Sequence, residues 1–483
     1  MQLIPKHSGA YAQLLSIFLA VSLCPSAWAA SINGVTKEFP VPGGITERCV
    51  RIEPMPGAKF SKHDLKQEQA YCAIDLQRSA VCPKLWSTSP GTIIFKLDGQ
   101  QQDFAAWERQ HCREGHHAGD AAVDKLASFK ISVNDRKTSA TWSPSSWVYY
   151  HFSRYFRTHT DVPVAVYRTM DASQHHERVT APALKLVERR RHLGMLKAGW
   201  IFLDQVERGV GSSTANSMAL TDEGRQVFGV LLDNKGDRYG AEFNGTRESG
   251  WGNGQNEDFQ RIAPFIALRS ELPVPEAAAA SIREARKDPA MAKSLKSDTP
   301  VKQVISWMQD VMEITLLDYM LGQQDRIGNI DYTWRWYWLE DGKLESESAH
   351  GTSAPDKLAR FNPIRLRRSA INDNDAGVRH GYANFAKRTG MLDDLRHYDP
   401  QLYQRLGRLA ADMAEEGPIY RWMTTSAGLG TREAEGIRNR TIAAFEILQT
   451  GCLAGTLALD FDLGYELFGQ PVSSDEPVAC EVN

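Results

Sequence analysis

The run Leu317-Asp318-Tyr319-Met320-Leu321-Gly322-Gln323-Gln324-Asp325-Arg326-Ile327-Gly328-Asn329-Ile330-Asp331 decides how this chain is read. A long helix from Val301 to Leu321 ends near Gly322, and a loop then presents Asp325 and Asn329 in quick succession. A strand carrying Tyr332, Trp334, Trp336 and Trp338 on alternate positions follows. Phosphoryl transfer from a nucleotide uses such a loop: a carboxylate orients or deprotonates the attacking hydroxyl, and an amide oxygen about one turn later helps hold a metal. The competing reading of these residues is a helix C-terminus followed by a Gly328-Asn329 turn.

Downstream, Ser369-Ala370-Ile371-Asn372-Asp373-Asn374-Asp375-Ala376-Gly377-Val378 places Asp373 and Asp375 beside a glycine. Two such carboxylates offer oxygen ligands to a hard divalent cation, or else form an acidic surface turn. Upstream, Lys130 lies in the strand-type run Leu126-Ala127-Ser128-Phe129-Lys130-Ile131. There it either turns into a cleft towards phosphate or sits as a solvated edge residue. The order along the chain is strand lysine, helix, extended segment, hairpin, Gly-rich connection, long helix, aspartate loop and metal aspartate. That is the order of parts in kinase-type phosphotransferases.

The remainder fits an α+β chain. Thr92–Phe95 is strand-like, Trp147–Arg157 is helical, and Asp161–Tyr167 is extended. Val227–Leu232, the turn at 233–236 and Tyr239–Phe243 are expected to form a hairpin. After the Gly-rich loop Gly245–Gly254 the pattern turns helical at Pro275–Arg286, Val301–Leu321, Leu402–Glu416 and Arg432–Thr450. A strand-rich half before a helix-rich half predicts two lobes with a cleft between them. The expected units are a signal peptide (1–29), a disulfide-stapled N-terminal segment (30–90), a strand-rich N-lobe (91–254) and a helical C-lobe (255–483) with the catalytic and metal loops.

The chain has 483 residues, of which 42% are hydrophobic, with 56 Lys and Arg against 59 Asp and Glu. That excludes a disordered or polybasic chain, and with it an extended nucleic-acid footprint. Lys6, the apolar run Leu14–Cys24 and Ala27-Trp28-Ala29 have the parts of a cleaved secretory signal, and no later run is long enough to span a membrane. The mature chain is therefore expected to be exported, either periplasmic or secreted. In an oxidising compartment Cys49, Cys72, Cys82, Cys112, Cys452 and Cys480 read as disulfides. Cys452 is expected to pair with Cys480, and the early four among themselves. A zinc site at His111-Cys112 with His116-His117 is the competing reading. His175-His176 and the Arg189-Arg190-Arg191 run read as solvated. The alternating tryptophans read as one covered strand face, or as the platform of an exported carbohydrate-binding protein. Neither a Gly-x-Ser-x-Gly elbow nor a His-Glu-x-x-His pair is present, so hydrolase chemistry has no motif.

These segments resemble the Golgi casein kinase family of secretory-pathway atypical kinases and, more distantly, HipA-type, CotH and phosphoinositide kinases. Phe129-Lys130, His151-Phe152-Ser153-Arg154 and Val162-Pro163-Val164 are similar to that family's Phe-Lys, His-Leu-Asp-Arg and Val-Pro-Pro segments. Asp318–Arg326 is similar to its catalytic segment, and Asn372-Asp373-Asn374 to its metal segment. The resemblance covers residues 125–380 in pieces. It implies an atypical protein-kinase-like two-lobed fold that moves the ATP γ-phosphoryl group to a hydroxyl with Mg2+ or Mn2+. Expected substrates are Ser or Thr on exported proteins, with a glycan hydroxyl next. Lys130 would bind nucleotide phosphates, Asp325 would be catalytic, and Asn329, Asp373 and Asp375 would hold metal. Asn329 lies one residue closer to the aspartate than in the relatives. The acidic residue on the family's helix is replaced here by Ser146, and members without it include pseudokinases, so a binding module on the same fold is the rival expectation. Glu242 and Asp331 are the candidates to replace that acid. The gap from Asp325 to Asp373 exceeds the family's short hairpin, and Glu340–Lys357 is expected to be an insertion in it.

Overall fold

The computed structural model describes residues 32–97, 103–112, 123–188, 194–234, 236–296, 299–470 and 478–481. The expected signal segment, His116-His117 and the Arg189–Arg191 run lie outside them. Twelve strands among the described residues form two antiparallel sheets. The first is built from β1 (Gly34–Val41), β2 (Ile45–Ile52), β3 (Ala80–Pro83), β4 (Thr92–Leu97), β5 (Val123–Ile131), β6 (Val166–Asp171), β7 (Leu220–Thr221) and β8 (Gln226–Leu232). Its order is β1-β2-β6-β8-β5-β4-β3, with β7 flanking β8. The second contains β9 (Asp237–Arg238), β10 (Ile330–Glu340), β11 (Lys343–Ser348) and β12 (Ile364–Ile371), with β10 paired to the other three.

The first sheet is stapled by Cys49–Cys72, which ties β2 to the end of the helix Lys62–Tyr71, and by Cys82–Cys112, which ties β3 to the end of Phe104–His111. Cys452–Cys480 fastens the C-terminal segment to the helix Thr431–Leu453. The early cysteines thus pair among themselves, as expected, and Cys112 is not available as a zinc ligand. Three disulfides suit an oxidising, exported environment. No helix among the described residues is long and apolar enough to cross a membrane.

The helix Val301–Leu321 follows the sequence expectation and is buried over almost its whole length. Its acids are all used. Asp310 accepts from the backbone N–H and the hydroxyl of Ser369 on β12, and Glu313 accepts from the N–H groups of His159 and Thr160. Buried carboxylates are tolerable only when so satisfied. Their partners lock this helix to the second sheet and to the segment entering the first.

The division into a strand-rich and a helix-rich half is coarser than what forms. The helices Ala181–Val187, Gly194–Glu207 and Ser213–Ala219 lie between β6 and β8, and the second sheet lies in the second half. The expected hairpin at 227–243 does not form. After β8 the chain leaves the first sheet, and Asp237–Arg238 pairs with Tyr332 and Asp331 of β10. Ala241–Asn244 is a short helix, with Tyr239 and Phe243 stacked at 4.6 Å against Trp307. The four-residue spacing of these two rings is helical rather than strand-like. His175 is also not solvated: it is buried between Thr92 Oγ1 and Glu207 Oε1 at 2.8 and 2.6 Å.

Candidate functional site

Ile330 of β10 faces Ile371 of β12, so the loops before and after this pair, 322–329 and 372–378, meet at one end of the second sheet despite the long excursion between them. That excursion is the β10–β11 hairpin and a short helix at Asp356–Phe361. Gly322 ends the central helix at φ +65°, a left-handed conformation that glycine takes at least cost. Arg326 then clamps the two loops. Its Nε donates to Asp318 Oδ2 at 2.9 Å, Nη1 to the Asn372 carbonyl at 2.6 Å, and Nη2 to Asn374 Oδ1 at 2.7 Å. Asp373 is held at φ +52° by this arrangement, a backbone state that aspartate tolerates better than most residues.

Lys130 reaches the same point from β5 of the other sheet. Its Nζ lies 2.7 Å from Asp373 Oδ1 and 3.4 Å from Asp375 Oδ2. Lys130 and Asp375 are buried, while the Asp373 side chain keeps 34% of its surface open. Burial alone would pull the Lys130 ammonium down, but the two carboxylates hold it well above its ordinary value. The same ammonium keeps Asp373 well below the usual carboxylate range against its desolvation. Asp375 is pushed up, chiefly by burial and further by Asp373, with Lys130 opposing. The helix Pro144–Phe156 and the turn before it fix the acidic loop from behind: the Trp142 N–H donates to the Asp375 carbonyl and the Ser145 hydroxyl to the Asn374 carbonyl.

Asp325 stands in the other loop, where the Gln323 amide oxygen accepts from the N–H groups of Gln324 and Asp325 at 3.0 Å. Its carboxylate accepts from the Trp251 indole N–H at 3.3 Å. Burial raises its pKa, the Trp251 hydrogen bond opposes, and Asp373 and Asp375 raise it further, as expected of neighbouring acids. Asn329 is not turned to the acids: its Nδ2 donates to the Asp325 carbonyl and its Oδ1 accepts from Arg238 at 3.0 Å.

Two residues not singled out from sequence also belong here. Lys84 opens the loop between β3 and β4, and burial and the neighbouring Lys130 pull it down to about 8, against Asp373 and Asp375. Trp251, from the Gly-rich loop, is 65% exposed, with its ring against the Phe385 edge. The available signals were the Trp86-Ser87-Thr88-Ser89-Pro90-Gly91 turn between two strand patterns and an unpaired tryptophan among glycines.

Neither Glu242 nor Asp331 is bonded to Lys130. Ser146 is buried with its hydroxyl unpartnered, Glu242 is paired with Arg367 at 2.9 Å, and Asp331 is held by Arg238 and by Asn372 Nδ2. Lys130 takes its carboxylate partners from the acidic loop instead. No group of three or more His, Cys, Asp and Glu is spaced to hold a metal among the described residues. The carboxylates beside Lys130 are those of Asp373 and Asp375. A hard divalent cation bridging nucleotide phosphates commonly has only one or two protein carboxylates. Trp336 and Trp338 are buried under Leu358, and Trp334 is covered by Arg365 at 3.9 Å, so this strand offers the covered face expected of it. No protein-family model matches the chain, and no curated protein matches it.

Proposed function

We propose that the cleft binds ATP with Mg2+ or Mn2+ and transfers the γ-phosphoryl group to a hydroxyl, with Ser or Thr of exported proteins as the expected acceptor and a glycan hydroxyl next. The observation that carries this reading is the convergence of Lys130 from the first sheet with Asp373 and Asp375 from the second, next to the loop of Asp325. Protein kinases use a strand lysine on the phosphates, an aspartate as base and a second aspartate on the metal, with a loop between two strands over the nucleotide. In this reading Lys130, Asp325, Asp373 and the Lys84–Gly91 loop take those roles, on an atypical two-lobed fold. A divalent ion, when bound, supplies positive charge to the phosphate oxygens, and Asp373 with Asp375 would hold it. Lys130 and Lys84 neutralise phosphate charge, and Asp325 orients the acceptor hydroxyl and accepts its proton. A raised pKa makes Asp325 a better proton acceptor once ionised.

The rival is a pseudokinase using the same fold for binding, and the buried, unpartnered Ser146 favours it. Phosphate incorporation from labelled ATP into a panel of exported proteins separates the two. Wild type is expected to transfer label, and Asp325→Ala to bind nucleotide but lose at least about a hundredfold in rate. Nucleotide binding without transfer by wild type on any acceptor would leave the rival.

A further inference from the structure

A cavity of about 580 Å³ lies between the first sheet, the start of the helix Pro144–Phe156, the short helix Ser213–Ala219 and the start of the helix Thr431–Leu453. Its volume falls in the range of roughly 300–1,000 Å³ typical of small-molecule sites. None of Lys84, Lys130, Asp325, Asp373 and Asp375 lines it, so it is separate from the site around Lys130.

Its polar and apolar parts are segregated. Trp142, Trp147, Tyr167 and Phe228 form an aromatic floor, with the Tyr167 and Phe228 rings stacked at 5.8 Å. Arg48, Arg379 and Arg432 stand around it, and none has a carboxylate within ion-pair distance among the described residues. Arg379 leans instead on neutral groups, Met218 Sδ and the Asn134 side-chain amide. The one acid, Glu433, accepts from the His380 N–H through one oxygen and leaves the other buried and unpartnered. An inorganic anion would meet the arginines and leave the aromatic floor in water. A neutral apolar ligand would cover the floor and leave the cations unanswered.

We propose that this cavity binds a small amphipathic organic anion, a carboxylate, sulfonate or phosphate joined to an aromatic or short aliphatic body. The test is a fluorescence titration of the full chain with the aryl sulfonate 8-anilinonaphthalene-1-sulfonate. Decanoate and phenyl phosphate serve as competitors, and inorganic phosphate as the comparison. One dye per chain is expected, displaced by both organic anions but not by inorganic phosphate. Arg48 and Arg432 are exposed, so the double variant Arg48→Glu with Arg432→Glu should keep the thermal midpoint and lose about tenfold or more in affinity. Asp373→Asn should bind the dye like wild type, which keeps this site distinct from the site around Lys130. Absence of saturable binding, equal affinity in the double variant, or displacement by inorganic phosphate alone would overturn the proposal. Dye binding that appears only with loss of the folded thermal transition would overturn it as well.

Discussion

At the residue scale, Lys84 is the most informative titrating group of the cleft. Its ordinary value of 10.5 is brought to about 8 by burial and by Lys130, so in the free protein it is charged below that pH and neutral above it. A polyphosphate favours the charged form, and with its metal bound its own charge is constant through this window. Nucleotide affinity is therefore expected to weaken, by up to about tenfold, as pH rises from about 7 to about 9. Titration calorimetry across that range checks the slope, which should flatten in Lys84→Met. Lys130 contributes no such slope, because its two carboxylates keep it protonated throughout. Lys130, Asp325, Asp373 and Asp375 could be singled out in the sequence by their order along the chain, because a strand lysine and an acidic turn are each commonplace alone. Lys84 could not, since its meaning comes from a fold that brings it to Lys130. The expected amide ligand Asn329 is spent on Arg238 and the Asp325 carbonyl, a local preference that the spacing of residues does not reveal.

At the scale of elements, the register of β5 on β8 positions Lys130. Val230 stands opposite Lys130 and Gly229 opposite Ile131, and a Cβ at Gly229 would collide with the Lys130 carbonyl. Gly229→Ala is accordingly expected to cost about 1–3 kcal/mol of stability and to weaken nucleotide binding by shifting the lysine. Thermal melts and a binding titration read the two effects, and an unchanged affinity would mean that β5 is held independently of β8. The central helix was legible from Val301 to Leu321 because an apolar run of that length, stopped by Gly322, has one stable solution. The strand reading of Tyr239–Phe243 failed because local alternation was overridden by packing on Trp307, a contact invisible to a short window.

Across the whole molecule, a shared core holds together two sheets whose meeting point is the proposed site, and the disulfides fasten helices to the first sheet and the C-terminal segment to its helix. Cys82–Cys112 closes 30 residues and, by chain entropy, stabilises by on the order of 3–4 kcal/mol. It packs in a small cluster with Ile93, Phe95 and Trp107 next to the Lys84 loop. The double variant Cys82→Ser with Cys112→Ser should lower the melting temperature and weaken nucleotide binding, whereas Cys452→Ser with Cys480→Ser, at the other end of the chain, should lower only the melting temperature. The export reading followed from the N-terminal signal pattern and the even number of cysteines after it, and the pairing of early with early cysteines from chain order. How the two halves close on one another did not, since it depends on long-range pairs such as Lys130 with Asp373. The most direct test is a calorimetric titration of ATP with Mn2+ into wild type and Asp373→Asn. Saturable binding at one site per chain in wild type, lost or weakened at least about tenfold in the variant, is the expected result. No binding by wild type, or equal binding by both, would contradict the assignment of this cleft to a metal-bound nucleotide.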